Sequence, residues 1–196
     1  MIISAAEDHI PQIVNIHCAS LPDDFLPQLG RDFLQRTFYP AVIASDLAAL
    51  LIDCDQNGNT SGFIIVTQDS GQFLSQIIRT HLWSFALTGI RSSLRSWGHF
   101  RRNLQILFSS VFGKDTHPAG EIYIIAVNAS MRGKGIGAKL VNAAEDYLRQ
   151  NGITAIKIKT LTSNEVWIGF FMKAGWDVID QFRLIGNDYT VLKKMF

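Results

Sequence analysis

One short stretch restricts this chain more than any other. Residues 130–140 read SMRGKGIGAKL, with three glycines and three cations in eleven positions. The apolar run EIYIIAV precedes it and the amphipathic run LVNAAEDYLRQ follows it, so the order is strand, glycine loop, helix. The first turn of a helix leaves backbone N–H groups without partners, and the helix dipole adds partial positive charge there. Glycines let an anion approach those groups with no Cβ in the way. Arg132 and Lys134 add full charges. The stretch is therefore a phosphate cradle, a flexible surface loop, or a helix start with no ligand, and its chemistry favours an anion, above all a diphosphate.

Two familiar phosphate motifs do not fit. A Walker A loop needs Lys-Ser/Thr after its last glycine, whereas Gly137 is followed by Ala138. A dinucleotide fingerprint is formally matched by Gly133, Gly135 and Ala138, but it needs an acid at the end of the next strand. That strand, ITAIKIKT, carries lysines, and only about 60 residues follow the loop.

A third pattern fits. VNASMRGKGIGAKLV resembles the acyl-CoA signature of the GNAT N-acetyltransferase superfamily, Arg/Gln-x-x-Gly-x-Gly/Ala after a buried strand, with Arg132, Gly135 and Gly137 on its positions. Further on, TSNEVWIGFFMKAGW is similar to a later helix of that family, with Asn164 at its start and Gly175-Trp176 at its end. The specific resemblance covers about residues 120–177. The remaining elements agree in order only.

The rest of the chain suits a mixed α/β sheet forming one domain over residues 1–196. MIIS reads as a strand, and EDHIPQIVNIHCAS as a helix. RDFLQRTFYPAVIAS reads as a second helix, kinked or ended near Pro40. DLAALLIDC and TSGFIIVTQ are strands around an Asn-Gly hairpin turn. EIYIIAV has the unbroken apolar run of a strand buried on both faces. In the next helix Leu140, Val141, Ala144, Tyr147 and Leu148 point inward. The chain ends in another helix and two strands joined at Gly186-Asn187.

Apolar residues at 47%, charged residues at 18% and a net charge of +1 describe a globular chain with no overall pull toward nucleic acid. Cys18 and Cys54 have neither disulfide nor zinc spacing, and His81, His99 and His117 are scattered, so no metal is expected. The N-terminus lacks the pattern of a signal peptide, and the run LWSFALTGI is too short to span a bilayer, so a cytoplasmic setting is expected.

The resemblance implies acetyl-CoA as cosubstrate and an amine as acceptor. Backbone groups of Ile125, Ala126 and Val127 would bond the pantetheine arm as an added strand. The loop residues Arg132, Gly133, Lys134, Gly135, Ile136, Gly137 and Ala138 would hold the diphosphate, and Asn164 and Phe171 would flank the coenzyme. Glu121 is the first candidate for the base that deprotonates the amine, and the alternative is an exposed strand-edge carboxylate. A main-chain N–H near Val127 would stabilise the oxyanion. Many relatives protonate the departing thiolate with a tyrosine where this chain has Phe171. Tyr123 and Tyr189 are the substitutes, each also readable as a strand aromatic.

Residues 69–119 form an insertion between the third and fourth strands, with no Asp or Glu between 72 and 114 and with Arg79, Arg91, Arg95, Arg101, Arg102 and Lys114. Its periodicity suggests two or three helices. It reads as an extra helical layer, as a lid selecting an anionic acceptor such as an amino sugar or sugar nucleotide, or as a peripheral contact with an anionic membrane or lipid-linked substrate. A longer acyl-CoA, or a non-catalytic CoA-binding module, are the alternative functions.

Overall fold

A computed structural model describes residues 1–22, 24–80, 119–184 and 186–196. The expectations for the basic stretch beyond Thr80, Arg91 and Arg95 among them, lie outside these residues. Of residues 69–119, the described ones include one helix, Ser70–Thr80.

Among the described residues, seven strands form a single sheet: β1 (Ile2–Ser4), β2 (Ala48–Cys54), β3 (Thr60–Thr67), β4 (Gly120–Val127), β5 (Ala155–Leu161), β6 (Asp177–Leu184) and β7 (Asn187–Met195). Their spatial order is β1-β2-β3-β4-β5-β7-β6. Only β4 and β5 run parallel, and every other neighbouring pair is antiparallel. The parallel pair needs a crossover, supplied by the helix that follows the glycine loop.

One face of the sheet carries α1 (Ile10–Ser20), α2 (Phe25–Gln28), the composite helix made of α3 (Arg31–Phe33), a π-helical stretch (Leu34–Phe38) and α4 (Tyr39–Ile43), and α5 (Ser70–Thr80). The composite helix neither ends nor simply kinks at Pro40. Proline cannot donate to the carbonyl four residues earlier and collides with it. The backbone widens into a π turn just before Pro40 and then continues. Asp69 starts α5, its carboxylate accepting from Gln72 N at 2.9 Å. Phe73, Leu74 and Ile77 form the buried side of α5.

The other face carries α6 (Ile136–Gln150) and α7 (Glu165–Lys173). Leu140, Val141, Ala144 and Leu148 are buried as their spacing predicts, and Tyr147 is half-buried. Glu145 is buried as well. Lys194 donates to both of its carboxylate oxygens, at 2.9 and 3.0 Å. The end of α7 explains the Gly-Trp pair. Gly175 takes φ of 81°, Gly175 N bonds Met172 O at 3.1 Å, and Trp176 N bonds Phe171 O at 3.1 Å. This is a Schellman closure, and it brings the Trp176 and Phe171 rings to 4.7 Å between centroids.

Candidate active site

The site begins where two strands separate. β4 and β5 are paired only at Gly120–Ile156, Glu121–Lys157 and Ile122–Ile158. The ladder between β3 and β4 slips at the same place, since Val66 pairs with Ile122 and Ile65 with Ile124, leaving Tyr123 as the extra residue of a bulge. A bulge bends and twists its strand. From Tyr123 onward β4 diverges from β5, and a gap opens with Tyr123–Val127 on one side and Lys159–Leu161 on the other.

The ladder decides which main-chain groups face that gap. Asn128 N bonds Ser61 O at 2.9 Å, beside the Gly62–Val127 register pair. Because hydrogen-bonded and non-bonded pairs alternate between antiparallel strands, Ile124 and Ala126 turn their backbone groups toward β3. Ile125 and Val127 turn theirs toward the gap. Ala126, expected with them to face the gap, therefore faces β3, whereas Ile125 and Val127 face the gap. The Val127 carbonyl is already engaged, by Arg132 Nε at 3.3 Å and Ser20 Oγ at 3.4 Å.

The glycine loop follows directly. A 3-10 turn, Ala129–Met131, is capped by Asn128, whose side chain accepts from Ser130 N. Gly133 and Gly135 then adopt φ of 75° and 76°, and α6 starts with Gly135 as its N-cap. A Cβ on either would meet nothing within 4 Å, so backbone conformation and not crowding requires glycine at both. The first bond of α6 is Lys139 N to Gly135 O, at 3.1 Å. The amides of Gly133, Lys134, Gly135, Ile136, Gly137 and Ala138 donate to no group among the described residues. Lys134 is exposed, and Arg132 is held against β4.

Gly137 differs from the other two. Its φ is not positive, and an ideal Cβ there would stand 3.2 Å from Cη2 of Trp167. Trp167 belongs to α7 one turn after the N-cap Asn164, whose Nδ2 reaches Thr160 Oγ1 at 3.5 Å. Asn164 and Trp167 therefore share the side of α7 nearest the loop.

The candidate catalytic residues lie on the α5 side of the sheet. Glu121 is not an exposed edge carboxylate. It is 6% exposed, and its Oε2 accepts from Ser70 Oγ at 2.7 Å and Lys159 Nζ at 3.3 Å, with Lys157 Nζ at 3.8 Å. Oε1 has no partner among the described residues. Tyr123 packs edge-on against Phe73, 5.5 Å between centroids. Burial, and then the charges of Glu121 and Asp24, push its phenol above the usual range, which makes it a poor proton donor to a thiolate. Tyr189 is paired with Leu161 and Phe182 in the sheet and stacks on the Phe182 ring at 5.4 Å. Phe171 is not at the gap's surface. It is fully buried among Trp167, Phe170 and Trp176, which differs from the surface position expected of a residue flanking a coenzyme.

Three features escaped the sequence reading: the Ser70, Lys157 and Lys159 shell around Glu121, the bulge at Tyr123, and Trp167 against Gly137. The lysines were visible in AIKIK. Their partner is set by the register of β4 against β5, which one strand alone does not reveal.

Free amides at the mouth of α6 thus lie just beyond the strand edge that β5 leaves open, in a mixed α/β fold. The chain belongs to the GNAT acetyltransferase family, whose model, described as Acetyltransferase (GNAT) family, matches residues 10–176. A mycothiol acetyltransferase of Propionibacterium freudenreichii subsp. shermanii is 31% identical over 72 residues, 37% of this chain and 23% of that protein. The chain spans about a quarter of the length of the curated relatives it matches. Among solved structures, an N-acetyltransferase from Staphylococcus aureus Mu50 aligns over 100% of this chain and 97% of its own, with a TM-score of 0.64 at 16% identity. A Bacillus anthracis str. Ames acetyltransferase in complex with acetyl coenzyme A aligns over 81% of this chain and 68% of its own, with a TM-score of 0.52 at 14% identity. At such identities these two speak for the fold. No helix among the described residues is long and apolar enough to cross a membrane.

Proposed function

We propose that this chain transfers an acetyl group from acetyl-CoA to a primary amine of a small molecule. The observation that carries the reading is the continuity of two sets of unsatisfied main-chain groups: six amides from Gly133 to Ala138, and the edge of β4 from the point where β5 leaves it. The first set suits a diphosphate. The second suits an extended amide-containing arm that adds to the sheet as a strand would. Coenzyme A has both parts, and a similar fold has been solved with its acetyl thioester.

The thioester supplies an activated carbonyl. Attack on it requires a neutral amine, because an ammonium has no lone pair. Oε1 of Glu121 takes the amine proton, directly or through water, while Ser70 and Lys159 hold Oε2. The Val127 amide faces the gap and donates to the carbonyl oxygen as it gains charge. The new C–N bond forms as the C–S bond breaks. The leaving thiolate, whose conjugate thiol has a pKa of about 8.5, departs near neutral pH without a dedicated acid. That suits a chain with phenylalanine at position 171 and a suppressed Tyr123.

The finer reading, an anionic acceptor such as an amino sugar or a sugar nucleotide, rests on the arginine-rich composition of residues 69–119. The test is thiol release from acetyl-, octanoyl- and palmitoyl-CoA with a panel of amines that includes amino-sugar nucleotides. Release with acetyl-CoA and one amine class is expected. Release only with the long chains replaces the acetyl assignment. CoA binding by calorimetry with no release for any amine makes the chain a binding module.

A further inference from the structure

The Trp167 indole stands over Gly137 and leaves only tight room for a Cβ there. The ideal Cβ of residue 137 lies 3.2 Å from Cη2 of the indole and 3.8 Å from Cζ3. Gly137 is in the first turn of α6, and its amide is one of the six free donors. The indole is half-buried and is backed by other aromatic rings. It is stacked on Phe171 at 5.6 Å and 28°, and Phe170 meets it edge-on at 5.3 Å. Phe171 is itself fully buried and backed by Trp176 at 4.7 Å. Interiors packed this closely transmit a displacement instead of absorbing it. A column of rings, Trp176–Phe171–Trp167, therefore bears on the mouth of α6.

We propose that Trp167 is a positioning residue of the coenzyme site, a rigid stop that fixes the first turn of α6 relative to the gap between β4 and β5. On this account residue 137 is glycine to admit the indole, whereas Gly133 and Gly135 are glycine for backbone conformation. The inference rests on the proposed coenzyme reading and gives it a specific device: the diphosphate and the arm are engaged together only when helix mouth and strand gap keep one spacing. A ligand that bridges two sites loses affinity when that spacing changes.

A mutant cycle tests this. Gly137→Ala introduces the Cβ and should raise the Kd for CoA about tenfold, in keeping with overpacking of a full site. It should raise KM for acetyl-CoA by a similar factor and leave kcat at saturation within about twofold. Trp167→Phe removes the ring edge that the Cβ meets. Alone it should raise Kd about threefold, and in the Gly137→Ala background it should restore most of the lost affinity, a non-additive result expected only of residues in contact. If the double variant binds no better than Gly137→Ala, the stop is refuted, and Gly137 serves the close approach of the phosphate. Should Gly137→Ala fail to fold, Trp167→Phe decides: an unchanged Kd for CoA refutes the inference. Wild-type protein that binds no CoA by calorimetry overturns the coenzyme reading and this inference together, whereas CoA binding without rescue overturns only this one.

Discussion

Glu121 and Lys157 face each other across the parallel pair of β4 and β5, with Nζ 3.8 Å from Oε2 and the lysine completely buried. Ser70 and Lys159 complete the shell and tie the first residue of α5 and the strand beyond the gap to the same carboxylate. The carboxylate is thus a structural tie through one oxygen and, on the proposal above, the base through the other.

Glu121→Gln separates the two roles. Removing one partner of a buried ion pair costs roughly 3–5 kcal/mol, so the urea midpoint should fall. If Oε1 is the base, kcat per folded molecule should fall by about 10²–10⁴ as well. A lower midpoint with unchanged kcat would leave Glu121 as a tie alone.

Gly135→Val tests the cradle. Gly135 has φ of 76°, a conformation that costs an ordinary residue about 1–2 kcal/mol and a β-branched residue more. The loop should reorganise and the free amides disperse, with at least a tenfold rise in the Kd for CoA. Equal affinity by calorimetry would count against the helix mouth as the diphosphate site.

Phe171→Tyr asks whether a tyrosine at the family's usual position supplies an acid here. The ring is fully buried, so the added hydroxyl should cost about 1–3 kcal/mol as an unpaired buried group. No gain in kcat is expected, because the position is enclosed. A tenfold gain in thiol release would show that the hydroxyl reaches the leaving sulfur.

His17 predicts a pH dependence of stability. Its Nδ1 lies 2.7 Å from Tyr39 Oη, its Nε2 has no partner among the described residues, and burial lowers its pKa from 6.5 to about 4. Between these values the unfolded chain takes up a proton that the folded chain refuses. Stability attributable to this residue is therefore full above pH 6.5 and falls as pH drops toward 4, by about 3 kcal/mol in all. Denaturation midpoints from pH 7 to 4.5 should show that slope, and His17→Phe should flatten it.

The helix after the glycine loop was readable because its inner face repeats at helical spacing and its mouth is marked by Gly133 and Gly135. Patterns within one segment also disclosed the hairpin between β2 and β3 and the stop at Gly175. What stayed hidden depends on how separate segments meet. Glu145 looks like an outer-face acid until Lys194, 49 residues away, is brought to it. AIKIK separates isoleucines from lysines, but only the register with β4 makes Lys157 a buried partner of Glu121. Ala126 counts as a gap-facing residue until the ladder with β3 is laid out.

The bulge at Tyr123 falls immediately after Ile122, the last residue of β4 bound to β5. A one-residue surplus in the chain itself thus accompanies the parting of the strands, and on the coenzyme proposal an incoming ligand has no strands to prise open. Such readiness spares the ligand the cost of rearranging its host. It also makes the opening vulnerable to shortening: excising Tyr123 would let β4 run straight along β5, and the two would zip shut over the space the ligand needs.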